Sequence, residues 1–131
     1  MHKRQDIKDI LDSLVAENRS AIRAVKELCC IAANVERLTC HADETGRLHV
    51  IVDGDEVLEW TADGGKDNFR NLLSVMSSFA KQYAEHSIAP ELSPYRIKCV
   101  VNLAEFGGKN LLMRLETTNT ASEQCFAFSQ I

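Results

Sequence analysis

The segment over residues 38–60 constrains the fold most, because its apolar and polar residues alternate and two turn sequences interrupt the alternation. Alternation with a period of two is the pattern of a half-buried β-strand. The first turn, DETGR at residues 43–47, has a glycine where a three-residue hairpin loop needs a left-handed backbone. The second turn, DGD at residues 53–55, is also centred on a glycine. The segment therefore predicts three antiparallel strands joined by two tight turns.

Two three-residue loops would also fix which residues stand opposite one another. Across the first turn His41 faces His49, and across the second turn His49 lies beside Glu59. Ile51 is predicted beside Val57 on the same face of the sheet. The pairs predicted on the opposite, apolar face are Ala42 with Leu48, Cys40 with Val50, Leu38 with Val52, Val50 with Leu58 and Leu48 with Trp60.

An amphipathic pattern precedes the strands, with apolar residues at every third or fourth position over residues 6–33. This spacing predicts one long helix of about 40 Å at ~1.5 Å per residue. Asn18 lies in the middle of the apolar stripe. Either the helix breaks at residues 17–20, with Ser20 or Asn18 capping a second helix, or it continues and pairs with a copy of itself. We favour the continuous helix, which is longer than a domain of this size covers alone. The predicted dimer or partner face consists of Ile7, Leu11, Leu14, Asn18, Ile22 and Val25.

A second amphipathic helix and three further strands follow. Asp67, just after the linker at residues 62–66, is the predicted N-cap, and the apolar spacing beyond it predicts a helix that ends near Ser87. Alternation then predicts strands at residues 95–103, 111–117 and 123–128.

The predicted order of elements is α-β-β-β-α-β-β-β. Strands linked by hairpins, together with separate helices, are typical of the α+β class. We therefore predict a single α+β domain over residues 1–131, with antiparallel sheet packed by one long N-terminal helix and one central helix.

The composition excludes several classes of protein. At 131 residues, 45% hydrophobic and 26% charged, the chain is expected to fold as one ordered domain. The net charge is -4 and the fifteen basic residues are scattered, so no nucleic-acid partner is expected. No apolar run approaches the roughly 20 residues of a membrane helix, so we expect no membrane partner and a cytoplasmic location. Five cysteines without a CxxC pair indicate reduced thiols.

Two histidines and a glutamate form the sharpest candidate site. The predicted registers place His41, His49 and Glu59 in one row on three neighbouring strands, with Cβ separations of about 5 Å. Two imidazoles and a carboxylate at that spacing can share a zinc or iron ion. The alternative is that all three are outward polar residues of an ordinary sheet, with Glu59 stabilising a charged His49. The chain has no motif typical of a cofactor site, and no cofactor is predicted.

Other candidates are less specific. Cys40 precedes His41, but neighbours on a strand point to opposite faces, so Cys40 is expected in the core. The second helix carries large apolar residues that either line a ligand pocket between helix and sheet or belong to the core. They are Phe69, Met76, Phe79 and Tyr83.

These observations favour a non-enzymatic cytoplasmic adaptor, chaperone-like or inhibitor domain that acts as a homodimer and binds another protein. In element order, the chain resembles small acidic secretion-chaperone-like domains, in which two helices lie on an antiparallel sheet and the pair dimerises to hold a partner. That resemblance transfers no site residues. The alternative is a small-molecule-binding or metal-dependent enzyme-like domain, with a pocket between the central helix and the sheet or the histidine row as its centre.

Overall fold

The part of the chain that the computed structural model describes contains three α-helices, one short 3-10 helix (Leu103–Phe106) and one antiparallel sheet of seven strands. The described residues are 3–16, 21–62, 64–85, 87, 89–93, 95–106 and 109–131. The helices are α1 (Lys3–Ala16), α2 (Ala21–Ala32) and α3 (Gly65–Tyr83). The strands are β1 (Arg37–Ala42), β2 (Leu48–Val52), β3 (Asp55–Trp60), β4 (Glu91–Leu92), β5 (Arg96–Asn102), β6 (Leu112–Asn119) and β7 (Gln124–Gln130). The predicted α+β class is confirmed. The predicted order also holds when α1 and α2 are counted as one helical segment and the short β4 is set aside.

The N-terminal segment consists of two helices instead of the one long helix that we predicted. Asp6 and Ile10 of α1 line the same surface recess as Cys30 and Ile31 of α2. In one straight helix, residues 6 and 31 would be about 37 Å apart at ~1.5 Å per residue, so α2 runs back along α1. Apolar spacing is the same in a single helix and in a helical hairpin, and periodicity therefore did not separate the two.

Four of the six residues of the predicted dimer or partner face pack into the core of the chain itself, which contradicts the prediction for those four. Ile22 is the exception and is 49% exposed. Asn18 lies outside the described residues, as does the whole stretch 17–20. Helix α2 packs against α1 and α3, so the buried side of each helix is covered within the chain. The predicted face residues that are at most 6% exposed are Ile7, Leu11, Leu14 and Val25.

The strands lie side by side in the order β3-β2-β1-β7-β6-β5-β4, and all neighbours are antiparallel. At the centre β1 pairs with β7, with Leu38 opposite Phe128 and Cys40 opposite Phe126. The early hairpins and the late hairpins thus share one continuous sheet. Inward strand residues and the buried sides of all three described helices form one hydrophobic core.

The first hairpin has the predicted register, with His41 opposite His49. The N–H of Gly46 donates to the carbonyl oxygen of Asp43 at 3.0 Å, and Gly46 has a φ of 85°. This left-handed backbone is the reason for a glycine at that position.

The second hairpin reaches the predicted register by a different route. Its loop has two residues, Asp53 and Gly54, whose φ angles of 51° and 90° are those of a type I′ turn. The predicted pairs Val50 with Leu58, Leu48 with Trp60 and His49 with Glu59 are confirmed.

Trp60 connects three elements. Its side chain is buried, and its Nε1–H donates to Oδ1 of Asp12 in α1 at 2.7 Å. Its ring also lies against Gly65, where α3 begins. The N-cap of α3 is Gly64, and the predicted cap Asp67 lies in the first turn instead. Trp60 in β3 therefore contacts both α1 and α3.

Helix α3 packs its apolar side on the sheet. Phe69 and Met76 are buried in the core, while Phe79 and Tyr83 are partly buried against it. Phe69 and Met76 therefore belong to the core, and Phe79 and Tyr83 border it. The surface recesses described are lined by other residues. None of the described helices is long and apolar enough to cross a membrane.

Candidate functional site

The sheet has one face packed by the helices and one face that no described helix covers. We call the second the helix-free face. Its residues alternate along the strands with the buried core residues, and most are half-buried or exposed. On β1 to β3 it carries Thr39, His41, His49, Ile51, Glu56 and Glu59. On β5 to β7 it carries Arg96, Lys98, Val100, Leu112, Arg114, Glu116, Thr118, Cys125, Ala127 and Ser129.

A β-bulge in β3 changes which residues reach this face. Ile51 stands opposite Glu56 and not opposite Val57 as predicted, because the register shifts after Val50 and leaves Val57 as an extra residue. In a regular strand, Glu56 and Glu59 are three positions apart and would point to opposite faces. The bulge brings both carboxylates to the helix-free face beside His49.

The imidazole of His49 lies between carboxylates. Its Nε2 is 2.7 Å from Oδ2 of Asp43, and its Nδ1 is 2.5 Å from Oε1 of Glu56. Oε1 of Glu59 is 3.9 Å from the same Nδ1. A protonated imidazole donates from both nitrogens, so it satisfies Asp43 and Glu56 at once.

These contacts change the titration of both partners. The hydrogen bond to Asp43, followed by that to Glu56, raises the pKa of His49 above its ordinary value. The pKa of Asp43 is lowered, first by the hydroxyl of Thr45 and then by His49. The two carboxylate oxygens of Asp43 have different partners, since Oδ1 accepts from the Thr45 hydroxyl at 2.6 Å and Oδ2 faces His49. The turn that sets the hairpin register thus also positions the imidazole.

The structure brings together only part of the predicted row. His49 and Glu59 are close, but the ring of His41 stacks on that of His49, with centroids 5.1 Å apart and planes 17° apart. The ligand atoms that cluster belong to His49, Glu56 and Glu59, and they lie within 4.8 Å of one another. Asp43 and Glu56 were missed from the sequence. The Asp-Gly pair at residues 53–54 could have indicated the position of Glu56. This pair favours a two-residue turn, and with such a turn β3 needs a bulge to keep its apolar residues on the core face, which brings Glu56 to the side of His49.

At the other end of the helix-free face lies a group of apolar residues, Val100, Leu112 and Ile131, which we call the apolar corner. Leu112 is 42% exposed and Ile131 is 63% exposed. The pairing of β6 with β7 extends to Gln130, which places Ile131 next to Leu112. Val100 and Ile131 also line a surface recess with Arg114. The corner is therefore bordered by charged side chains.

No protein-family model, curated protein or solved structure matches this chain. Two features of the helix-free face bear on function, namely the carboxylates around His49 at one end and the apolar corner at the other.

Proposed function

We propose that the protein is a non-enzymatic cytoplasmic protein-binding domain of the adaptor or inhibitor type, which acts as a homodimer through its helix-free face. The apolar corner is the observation on which this proposal rests. Leu112 and Ile131 are large, exposed and adjacent, on a side of the sheet without a covering helix. Contiguous apolar surface marks interaction sites, whereas scattered apolar residues do not.

The charges around the corner favour a second copy of the chain as the occupant. Arg114 and Lys98 border the recess beside it, and so do Glu116 and Glu91. In a two-fold symmetric dimer the same patch meets itself, so acid and base must both be present on it for charges to match. A border of one sign would repel its own copy.

The helix-free face is also large enough. Six spacings of ~4.8 Å make a seven-stranded sheet about 29 Å wide, and its strands other than the two-residue β4 are roughly 17–26 Å long. The resulting area, on the order of 600 Å², is comparable to the ~800 Å² per partner of a standard interface. A contact centred on the apolar corner leaves the His49 end of the face at its rim.

The edges of the sheet are less suited to association than its face. The outer strand β3 carries three acidic residues, Asp55, Glu56 and Glu59, and a bulge at Val57. Charges and bulges on an edge strand oppose pairing with another strand. The opposite edge strand, β4, has only two residues. The face is therefore the more favourable contact surface.

Four of the five thiols are poorly suited to nucleophilic catalysis. Burial raises the pKa of Cys29 to about 12 and that of Cys99 to about 11. Burial also raises the pKa of Cys40 and of Cys125. Thiols that remain protonated are poor nucleophiles. All five cysteines are free, which is compatible with the reducing cytoplasm.

The oligomeric state of the full chain tests the proposal. We expect sedimentation velocity and native mass spectrometry to show a dimer with a dissociation constant tighter than ~100 μM. Leu112→Glu should convert it to a monomer, because the new carboxylate would be buried against its own copy. Ile22→Glu is the matched control, since Ile22 is 49% exposed but lies on α2. A wild-type monomer at about 100 μM, or a dimer that persists in Leu112→Glu, would refute the proposed interface.

A further inference from the structure

We infer that His49, Glu56 and Glu59 bind one divalent transition-metal ion of the Zn²⁺ type at the β2–β3 end of the helix-free face. This site does not depend on the proposed homodimer. It uses a different end of the face and a different chemistry.

The distances fit a single ion with little rearrangement. Ligand atoms around a tetrahedral Zn²⁺ lie about 3.3 Å from one another, given metal bonds of ~2.0–2.1 Å. The three atoms here lie within 4.8 Å, and Nδ1 of His49 is already closer than 3.3 Å to Oε1 of Glu56. Glu59 has to approach from 3.9 Å, and its side chain is half exposed and can rotate. The ion would take the place of the proton between imidazole and carboxylate.

Asp43 orients the imidazole for this role. It accepts from Nε2 at 2.7 Å and is itself held by the backbone N–H groups of Thr45 and Arg47. A neutral His49 that donates from Nε2 has its lone pair on Nδ1, directed at the two glutamates. Histidines that bind metals usually have such a carboxylate partner on the other ring nitrogen.

The charge around the ring favours a cation. Asp43, Glu56 and Glu59 place three carboxylates around one imidazole. The basic side chain of Arg47 lies beside them, and its Nη1 contacts Oε2 of Glu59 at 3.4 Å. This leaves Oε1 of Glu59 directed at the site. A divalent ion would neutralise charge that one protonated imidazole balances only in part.

The donor atoms select the class of ion. One imidazole nitrogen and two carboxylate oxygens suit Zn²⁺ and related transition ions, whereas Mg²⁺ and Ca²⁺ prefer oxygen alone. Three protein ligands also leave a position open for water. His41 stacks on His49 and is not part of the ligand group, so it covers one side of the ring without supplying a donor.

Zinc titration of the full chain tests this site. The parent protein for this experiment carries Cys30→Ser, which removes the exposed thiol. It is first treated with a chelator to remove bound metal and is then titrated with Zn²⁺ in a calorimeter. We expect the calorimeter to show one ion bound per chain and no competition from Mg²⁺. NMR spectra of the same sample should show a change in the ¹⁵N chemical shift of Nδ1 of His49. Glu56→Gln and Glu59→Gln should each weaken binding at least about tenfold, and Asp43→Asn by about 10–100-fold. The control Glu44→Gln, on the exposed tip of the same turn, should bind as the parent does.

Several outcomes would overturn the inference. They are an absence of saturable binding below about 1 mM, unchanged affinity in Glu56→Gln, and a shift at a histidine other than His49. Because Glu56 and Glu59 have half-exposed side chains, their variants should remain folded, and the circular dichroism spectrum checks this.

Discussion

At the scale of single residues, His49 is a histidine on a helix-free sheet face whose two ring nitrogens both have carboxylate partners. Neither carboxylate that touches it belongs to its own strand, since Asp43 is in the β1–β2 turn and Glu56 is in β3. Both contacts are made possible by hairpin geometry, which is local in the sequence. The stacking of His41 follows from the same register.

The raised pKa of His49 makes stability depend on pH. Because the pKa is higher in the folded protein than in the unfolded chain, the stabilisation is complete below the unfolded value of about 6.5. It is lost as pH rises through the folded value. We expect the free energy of unfolding of wild type relative to His49→Gln to be larger at pH 6 than at pH 9, measured by urea denaturation with a chelator present. Glu44→Gln should show no such trend, and a flat difference for His49→Gln would contradict the contacts.

Asp53 combines backbone conformation with hydrogen bonding. Its φ is 51°, and its Oδ1 accepts from the N–H groups of Glu36 and Arg37, both at 2.9 Å. Asp53→Ala should lower the free energy of unfolding by roughly 1–3 kcal/mol, because both acceptor contacts are lost and alanine disfavours this backbone. Asp53→Asn keeps an acceptor and tolerates the left-handed region, so it should cost less. Urea denaturation of the pair gives the comparison, and equal losses would argue against the side-chain contacts.

At the scale of elements, the start of α3 is fitted to Trp60. A Cβ at Gly65 would lie 2.9 Å from Cζ3 of the indole, and the indole is fixed by its bond to Asp12. Gly65→Ala should therefore destabilise the protein by roughly 1–3 kcal/mol, although alanine is the better helix former. Asn71→Ala, at an exposed site of the same helix, should stay within about 0.5 kcal/mol of wild type.

The fluorescence of the Trp60 indole also reports on the effect of Gly65→Ala. Trp60 is the single tryptophan, so its fluorescence follows unfolding and shows directly whether its surroundings are altered in the native state. A Gly65→Ala variant that is more stable than wild type and has an unchanged emission spectrum would show that the methyl group fits beside the indole, and would contradict this prediction.

The elements also show which features could be predicted from the sequence. The first hairpin was predicted down to its register because Gly46 fixes the loop. The pairing of Ile51 was wrong because a two-residue turn with a bulge and a three-residue loop align Val50 with Leu58 equally well. The apolar faces alone therefore could not reveal that Glu56 lies beside His49.

At the scale of the whole molecule, the decisive contacts are distant in sequence. The periodicity of the N-terminal helices predicted an apolar stripe but not its partner, and the stripe proved to be filled by the chain's own core at Leu11 and Val25. The pairing of β1 with β7 has no local signal at all. That pairing makes the helix-free face continuous from β3 to β4, and this continuity could not be deduced from the sequence.

The central position of β7 also affects how the protein is made. β1 ends at residue 42 and its neighbour β7 begins at residue 124, so a ribosome adds roughly 80 residues between them. At about 5–20 residues per second this takes ~4–16 s. During that interval Leu38 and Cys40 belong to a strand whose inner edge has no partner. We expect the nascent chain to be most exposed to misassembly during this period, because an unpaired strand edge can pair with another chain.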